Sequence, residues 1–240
     1  MINFLANPKR FLDFSNAIAP WLGALAAVLL GVGFYWALAA TPPDYQQGQS
    51  VKIMFVHVPA AYMGIMIYGM MAASSLVGLV FRHPLADVAA KSAAPLGAAF
   101  TALALLTGSL WGRPMWGTYW QWGDARLVSE LILLFIYLGY IALWNAIDDP
   151  VRAAKAAAIL SLVGAADVPI IHFSVDWWNT LHQPASIIRI GGPTIDKSFL
   201  APLFVMMAGY TVLFVWLWLL RMQTEIFERR ARALMMAKGA

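Results

Sequence analysis

Long apolar segments separated by short polar connections make up most of this chain. Apolar runs of about 20 residues recur along it, each long enough to cross a hydrocarbon core about 30 Å thick. The runs are continuous rather than alternating at every second residue, which predicts helices and argues against a membrane β-barrel. The pattern predicts an all-α, polytopic membrane helical bundle formed by a single domain, 1–240. Its six transmembrane helices are expected at 18–40, 58–81, 93–110, 127–147, 157–175 and 199–220.

The positive charges predict how this bundle is oriented. Of the 16 Lys and Arg residues, all but five fall in segments that would share one side of the membrane. Because Lys and Arg accumulate in cytoplasmic connections, that side and both termini are expected in the cytoplasm. The connections 41–57, 111–126 and 176–198 then face outward. They carry Lys52, Arg113, Arg126, Arg189 and Lys197.

The two ends of the chain have their own predicted roles. The sequence Ala-Leu-Ala at 37–39 resembles a cleavage site, but the apolar run 17–40 is longer than the ~7–15 residues of a signal sequence. An uncleaved first span is therefore favoured. Residues 1–17 mix apolar and basic side chains, which predicts an amphipathic head on the inner surface. Residues 221–240 are expected to form a cytoplasmic helical tail.

Composition narrows the chemistry. Hydrophobic residues make up 61% and charged residues 12% of the chain, against about 25% charged residues in a soluble domain. The absence of Cys excludes disulfides, iron–sulfur ligation and covalent haem attachment through C-x-x-C-H. A metal or haem would have to be held by His, Met or carboxylate groups. The net charge of +4 follows the membrane topology, so no nucleic-acid partner is expected.

Tryptophan is concentrated in two of the outward connections. The segment 111–124 contains four Trp and a Tyr, and 177–178 adds two more of the 11 Trp residues. An ordinary interfacial belt is the simpler explanation, but a belt would be spread over both surfaces. We therefore predict an aromatic shelf for a flat, apolar ligand such as haem. Its candidate residues are Trp116, Gly117, Trp120, Trp122, Trp177 and Trp178.

Two histidines are expected at the same outward surface. His57 precedes Pro59 at the start of the second span, and His182 follows the second Trp cluster. Two imidazoles would give haem iron a six-coordinate, low-spin site. His172 is expected to have a structural or ligand-orienting role, because Asp176 lies four residues further along its helix. His83 is expected to be a plain residue on the cytoplasmic side.

Charged residues near the shelf have candidate roles as well. Arg113 and Arg126 flank the Trp segment, and their guanidinium groups suit haem propionates. Asp124 is a further ligand-binding candidate and is also placed to cap the fourth span. Glu130 and Asp167 lie inside predicted spans, where acids are costly. For Asp167, a hydrogen bond between helices is the favoured interpretation.

The run Trp-Gly-Thr-Tyr-Trp-Gln-Trp-Gly-Asp at 116–124 resembles the tryptophan-rich (WWD) signature of haem-handling membrane proteins of cytochrome c assembly. The stretches Phe55–Met63 and Pro169–Gln183 narrow the likeness to the cytochrome c maturation protein C (CcmC, haem exporter protein C) family. The resemblance covers residues 50–185. One departure is Gly123, which separates Trp122 from Asp124 and is expected to alter the direction of the carboxylate.

The resemblance implies a haem-binding and haem-delivery subunit with six spans in the bacterial inner membrane. Haem b would be held transiently and non-covalently, with His57 and His182 as axial ligands. It would be presented at the periplasmic face to the haem chaperone CcmE. Implied partners are the ABC transporter subunits CcmA and CcmB, the small protein CcmD and membrane lipid. The chain has no nucleotide-binding motif and no hydrolytic triad, so it is not expected to be an enzyme.

Two other functions remain open from the residues. A b-type electron carrier would use the same histidines, but such carriers place their pairs within the bundle on facing helices. A non-haem transporter or structural subunit would bind no chromophore. A delivery protein would transfer its haem to an apo-acceptor, whereas an electron carrier would keep it. The absence of any bound haem would indicate the non-haem transporter or structural subunit.

Overall fold

The structure is a computed structural model that describes residues 6–183, 186 and 190–239. This part of the chain is almost entirely helical, and six of its helical segments are long and apolar enough to cross a membrane. The all-α prediction and the six spans are confirmed, whereas the cytoplasmic placement of the termini stays a prediction. Residues 1–5 of the expected head, Arg189 of the outward set and residue 240 of the tail lie outside the described residues.

Most of the helices run several residues beyond the predicted spans. They are α1 (Pro8–Tyr35), α2 (Met54–Phe81), α3 (Ala86–Trp116), α4 (Ala125–Ala146), α5 (Pro150–Gly164), α6 (Asp167–Trp177) and α7 (Lys197–Gly239). Hydropathy identifies only the apolar part of a helix, whereas the position where the helix begins depends on capping residues. Asn7 accepts the Lys9 N–H at 2.9 Å in front of α1, and Asp149 caps α5 in the same way.

The predicted fifth span is two helices. α5 ends at Gly164 and α6 begins at Asp167, so the span expected at 157–175 is interrupted by a turn at 165–166. Pro169 explains the position of this break. It has no N–H to donate to the carbonyl of Ala165, and its ring crowds that carbonyl in a continuous helix.

The expected head and tail are continuous with spans. From Pro8 onward the head forms the first turns of α1, with no break before the first span. Residues 221–239 continue α7, which is 43 residues long. The position of both ends at the inner membrane surface remains a prediction.

α2 lies at the centre of the bundle, with α1 packed against α7 at one side. α2 contacts α3, α5, α6 and α7, and its residues Phe55, Met63 and Ile67 are completely buried. The beginning of α3 is tied to α7 by two ion pairs, Lys91–Glu225 and Asp87–Arg229, each 2.7 Å long. These contacts fix the end of α3 that is remote from the Trp segment.

Gly97 lies at a close contact between α3 and α4. It lies where the ring of Tyr137 from α4 packs against α3, and a methyl group there would overlap that ring. Gly97→Ala is expected to destabilise the protein by about 1–3 kcal/mol, because a packed core tolerates added volume poorly. Unfolding in detergent measures the change. The matched control is Gly69→Ala, where an added methyl meets open space; equal effects would contradict the packing argument.

Candidate functional site

His57 is held in the first turn of α2 by groups from α3. Its Nδ1 lies 3.0 Å from the carbonyl oxygen of Ala104 and 3.3 Å from the hydroxyl oxygen of Thr107. A carbonyl oxygen can only accept, so Nδ1 donates its hydrogen to Ala104 and Nε2 keeps its lone pair. This is the arrangement by which proteins orient a histidine for metal ligation.

His182 lies in the segment that follows α6, and its ring nitrogen faces a carboxylate. Nδ1 is 3.4 Å from Oδ1 of Asp124, and the backbone N–H donates to the Thr180 hydroxyl at 2.9 Å. Burial lowers the pKa of His182, and the nearby Arg126 acts in the same direction against the opposing effect of Asp124. The imidazole is therefore neutral at pH 7, which is the form that binds a metal.

One helix supplies an indole to each of these histidines. The Trp111 ring meets His57 edge-on with centroids 5.7 Å apart, and the Trp116 ring meets His182 in the same way at 4.8 Å. Both Trp residues belong to α3. The expected outward loop 111–126 is therefore wrong in its first part, because residues 111–116 are helical and only 117–124 connect α3 to α4.

Missing side chains on α3 make these ring contacts possible. A Cβ at Gly108 would lie 2.8 Å from the His57 ring, and one at Gly112 would lie 2.9 Å from the Trp116 ring. Gly112 thus makes space for the Trp116 ring within a helix. Gly117 does form a turn, since its φ of +76° ends α3 in the left-handed conformation.

Asp124 joins two distant parts of the chain. Its Oδ1 caps α4 by accepting the Arg126 and Leu127 N–H groups at 3.0 and 3.1 Å, as its position before the fourth span had predicted. Its Oδ2 accepts the Thr180 hydroxyl and the Leu181 N–H, both at 2.8 Å. The carboxylate is 2% exposed, so the segment containing His182 is anchored to α4 by a buried group.

Hydrogen bonds keep Asp124 charged in this position. Burial alone would raise the pKa of Asp124, but donation from Leu127, Leu181 and Thr180, together with the nearby His182, holds that pKa below its usual value. Gly123 does not turn the carboxylate away from these partners. It is exposed and has no neighbour where a side chain would be.

The remaining Trp candidates form two groups, in which Trp120 is the partly buried member. The rings of Trp120 and Trp122 meet edge-on at 5.4 Å, and those of Trp177 and Trp178 at 5.8 Å. Trp177 also stacks on Phe173. Trp122, Trp177 and Trp178 expose about half or more of their surface. In the part of the chain that the structure describes, no ring contact joins the two groups.

The two arginine candidates differ in their surroundings. Arg113 is exposed, donates to the carbonyl of Gly117 and lies over the ring of Tyr119. Arg126 is half-buried, and its guanidinium forms no hydrogen bond or ion pair among the described residues, although it interacts electrostatically with His57 and His182. Glu130, Asp124 and Asp176 also act on Arg126 electrostatically, but within the described residues none of them forms a direct ion pair with it, so its N–H groups are open to an anionic group.

A family model described as Heme exporter protein C matches residues 1–237. This chain belongs to that family. Heme exporter protein C of Bradyrhizobium diazoefficiens is 62% identical over 236 residues, which are 98% of this chain and 89% of the relative. The Haemophilus influenzae and Escherichia coli (strain K12) proteins of the same name are each 47% identical, over 95% of this chain and 92% and 91% of their own length.

In this member of the heme exporter protein C family, sequence reasoning missed the residues that hold the histidines. Ala104, Thr107 and Gly108 face His57, and Thr180 bonds both His182 and Asp124. The run Gly108-x-x-x-Gly112 beside two Trp residues was the available signal for close packing. His172 is exposed and contacts Phe173, and in the described structure it forms no hydrogen bond with Asp176, contrary to expectation.

Proposed function

We propose that this chain is a haem-binding and haem-delivery subunit of c-type cytochrome biogenesis. The single observation that carries the proposal is the pair His57 and His182. Each has its Nδ1 beside an acceptor and meets a Trp ring, and among the described residues neither Nε2 has a hydrogen-bond partner. The names of the relatives, Heme exporter protein C, supply the cargo that such a pair would take.

The iron of haem b would be held from its two sides by His57 and His182. Attachment would be non-covalent, and the absence of Cys excludes a thioether bond to the haem. Trp116, Gly117, Trp120, Trp122, Trp177 and Trp178 would line the porphyrin. Their exposed faces are apolar surface that a flat ligand covers, at about 25 cal/mol for each Å² removed from water.

Arg126 would pair with a propionate. Arg126→Gln is expected to weaken haem binding about 10–100-fold, because a charge-assisted hydrogen bond contributes roughly 1.5–3 kcal/mol. The measurement is a titration of the purified protein with haem, followed by the Soret band. Arg113→Gln is the matched control and is expected to have a smaller effect, since Arg113 already donates to Gly117. An equal loss in both variants would assign the propionates to both arginines.

The proposed context is the bacterial inner membrane, with the site on the periplasmic side. CcmE would receive the haem, and CcmA, CcmB and CcmD would form the ABC-type complex around this subunit. ATP hydrolysis would come from those partners, because the chain has no P-loop sequence. In this proposal the chain binds and presents its cargo and performs no bond-making step of its own.

The test is transfer of haem from the loaded protein to a purified apo-acceptor. The loaded, detergent-purified chain is expected to show a low-spin spectrum and to lose its haem when apo-CcmE and the ABC partners with ATP are added. Haem that is bound tightly but never transferred would favour an electron carrier. No Soret band after addition of haem would remove haem from the proposal altogether.

A further inference from the structure

A hydrogen bond from the connection between α1 and α2 reaches one of the indoles beside the candidate iron ligands. The Trp111 Nε1–H donates to Oε1 of Gln47 at 2.9 Å. Trp111 in turn meets the His57 ring edge-on, with centroids 5.7 Å apart and an angle of 72° between the ring planes. Gln47 is thus joined to His57 through a single indole, although the sequence gave no reason to expect it at the site.

The backbone of Gln47 is held on both sides. Its N–H donates to Oδ1 of Asp44 at 2.8 Å, and its carbonyl oxygen accepts the Ser50 hydroxyl at 2.8 Å. Asp44 and Gly48 exchange backbone hydrogen bonds of 3.1 and 2.9 Å, and Gly48 completes the turn with a φ of +56°. The Gln47 side chain therefore presents its amide oxygen to Trp111 from a fixed position.

One face of α3 lies against the imidazole of His57. Ala104 accepts from Nδ1, and Thr107, Gly108 and Trp111 follow at spacings of three, four and seven residues, so all four share that face. A hydrogen bond to Nδ1 fixes one atom of the ring and not its plane. The indole of Trp111 is the largest group on this face that contacts the ring, so its position limits the plane that the imidazole can adopt.

The acids inside the spans do not supply a contact of this kind. Oε1 of Glu130 and Oδ2 of Asp167 are buried, and neither has a hydrogen-bond partner among the described residues. The helix-to-helix hydrogen bond expected for Asp167 is thus not formed in the described structure. The hydrogen bond that reaches Trp111 comes from a connection and not from a neighbouring span.

We infer that Gln47 is a positioning residue of the haem site: it holds the Trp111 indole edge-on to His57 and thereby sets the plane of the imidazole that would bind the iron. The inference rests on the proposed function for its consequence at the iron. Groups behind a metal ligand orient that ligand and tune the metal. Here the orienting contact is an aromatic edge, and the hydrogen bond to Gln47 keeps that edge in place. The connection 41–48 is therefore part of the site, together with the segments 117–124 and 178–182.

The haem-free chain tests the positioning directly. When histidine is labelled with ¹³C, NMR of the full chain in detergent observes the ring C–H signals of its four histidines, and His57→Ala assigns one of them. Because an indole shifts nearby signals according to its position, Gln47→Leu is expected to move the His57 signal and to leave that of His182 in place. Gln46→Leu is the matched control, since the Gln46 side chain is exposed and forms no hydrogen bond among the described residues. An unmoved His57 signal in Gln47→Leu would overturn the inference.

Further variants separate the hydrogen bond from a general effect on folding. Gln47→Glu keeps an acceptor oxygen for Trp111 and should leave the His57 signal near its wild-type position. Trp111→Phe keeps a ring beside His57 but removes the donor, so adding Gln47→Leu to it should cause no further shift. A further shift of full size would show that Gln47 acts by another route. Should Gln47→Leu not fold, Gln47→Asn makes the same test with a polar side chain that is one methylene too short to reach the indole.

The haem-loaded protein tests the consequence for the iron. Gln47→Leu retains both histidines, so its ferric haem is expected to stay low-spin. Its electron paramagnetic resonance g values depend on the planes of the axial imidazoles and are expected to differ from those of the wild type. Haem affinity should fall about 2–10-fold, the effect of losing one neutral hydrogen bond, and Gln46→Leu should change neither quantity. Unchanged g values in Gln47→Leu would overturn the inference. If the wild type binds no haem, the proposed function fails, while the histidine signals still decide whether Gln47 positions His57.

Discussion

His57→Ala and His182→Ala are each expected to convert bound haem from a low-spin to a high-spin spectrum. Each variant removes one axial imidazole, and a five-coordinate or water-ligated iron is high-spin. Loss of a residue behind a metal ligand typically costs 10–100-fold in affinity, so loss of the ligand itself is expected to cost at least about 100-fold. The measurement is the visible spectrum during a haem titration of each purified variant.

Two other histidines serve as controls for this experiment. His83 accepts the Leu85 N–H next to the start of α3, and His172 is exposed on α6, so alanine at either position should leave the spectrum unchanged. A spectrum unaffected in the His57 and His182 variants but lost in His172→Ala would place the iron elsewhere. Loss in only one of the two variants would indicate a single protein ligand.

Asp124→Ala is expected to destabilise the protein and to weaken haem binding together. It removes the cap of α4 and leaves the Thr180 hydroxyl and the Leu181 N–H without their acceptor, and buried donors left unpaired cost about 1–3 kcal/mol each. It also removes the group that faces Nδ1 of His182. Haem affinity is expected to fall about 10–100-fold, the range seen for orienting residues behind metal ligands.

Asp149→Ala is a closely matched control for Asp124→Ala. Asp149 caps α5 through the Val151 and Arg152 N–H groups, but its side chain is half-exposed and, within the described residues, it bonds only to its own helix. Its loss should cost about 0.5–2 kcal/mol and leave haem binding intact. Equal unfolding free energies and equal haem affinities in the two variants would show that the bonds from Thr180 and Leu181 to Asp124 contribute neither to stability nor to haem binding.

Low pH is expected to protonate the Asp124 carboxylate and to weaken its bonds to the 178–182 segment. The folded-state pKa of Asp124 lies below its ordinary value, so its stabilising contribution is complete above about pH 4 and is lost as the pH falls through the lowered pKa. Unfolding measured against pH should show this loss in the wild type and not in Asp124→Ala. A loss that begins near neutral pH would contradict a lowered pKa.

The spans were predictable because crossing lipid requires a continuous apolar run of about 20 residues. The ends of the helices were not predictable in this way. The segment 111–116 was expected in the outward connection 111–126, yet α3 continues to Trp116, with Gly112 facing a ring and Pro114 in the last turn. Asp124 was recognisable as a cap, since a cap acts on residues two and three positions away. Its bonds to Thr180 and Leu181 were not, because they join residues more than 50 positions apart.

The placement of Trp111 and Trp116 on one helix links the two ends of the site mechanically. They are five positions apart, which corresponds to about 7.5 Å along the axis of α3 and about 140° around it. A rigid helix cannot move one indole without displacing the other. A small screw motion of α3 would therefore shift both indole–imidazole contacts in the same event rather than one after the other.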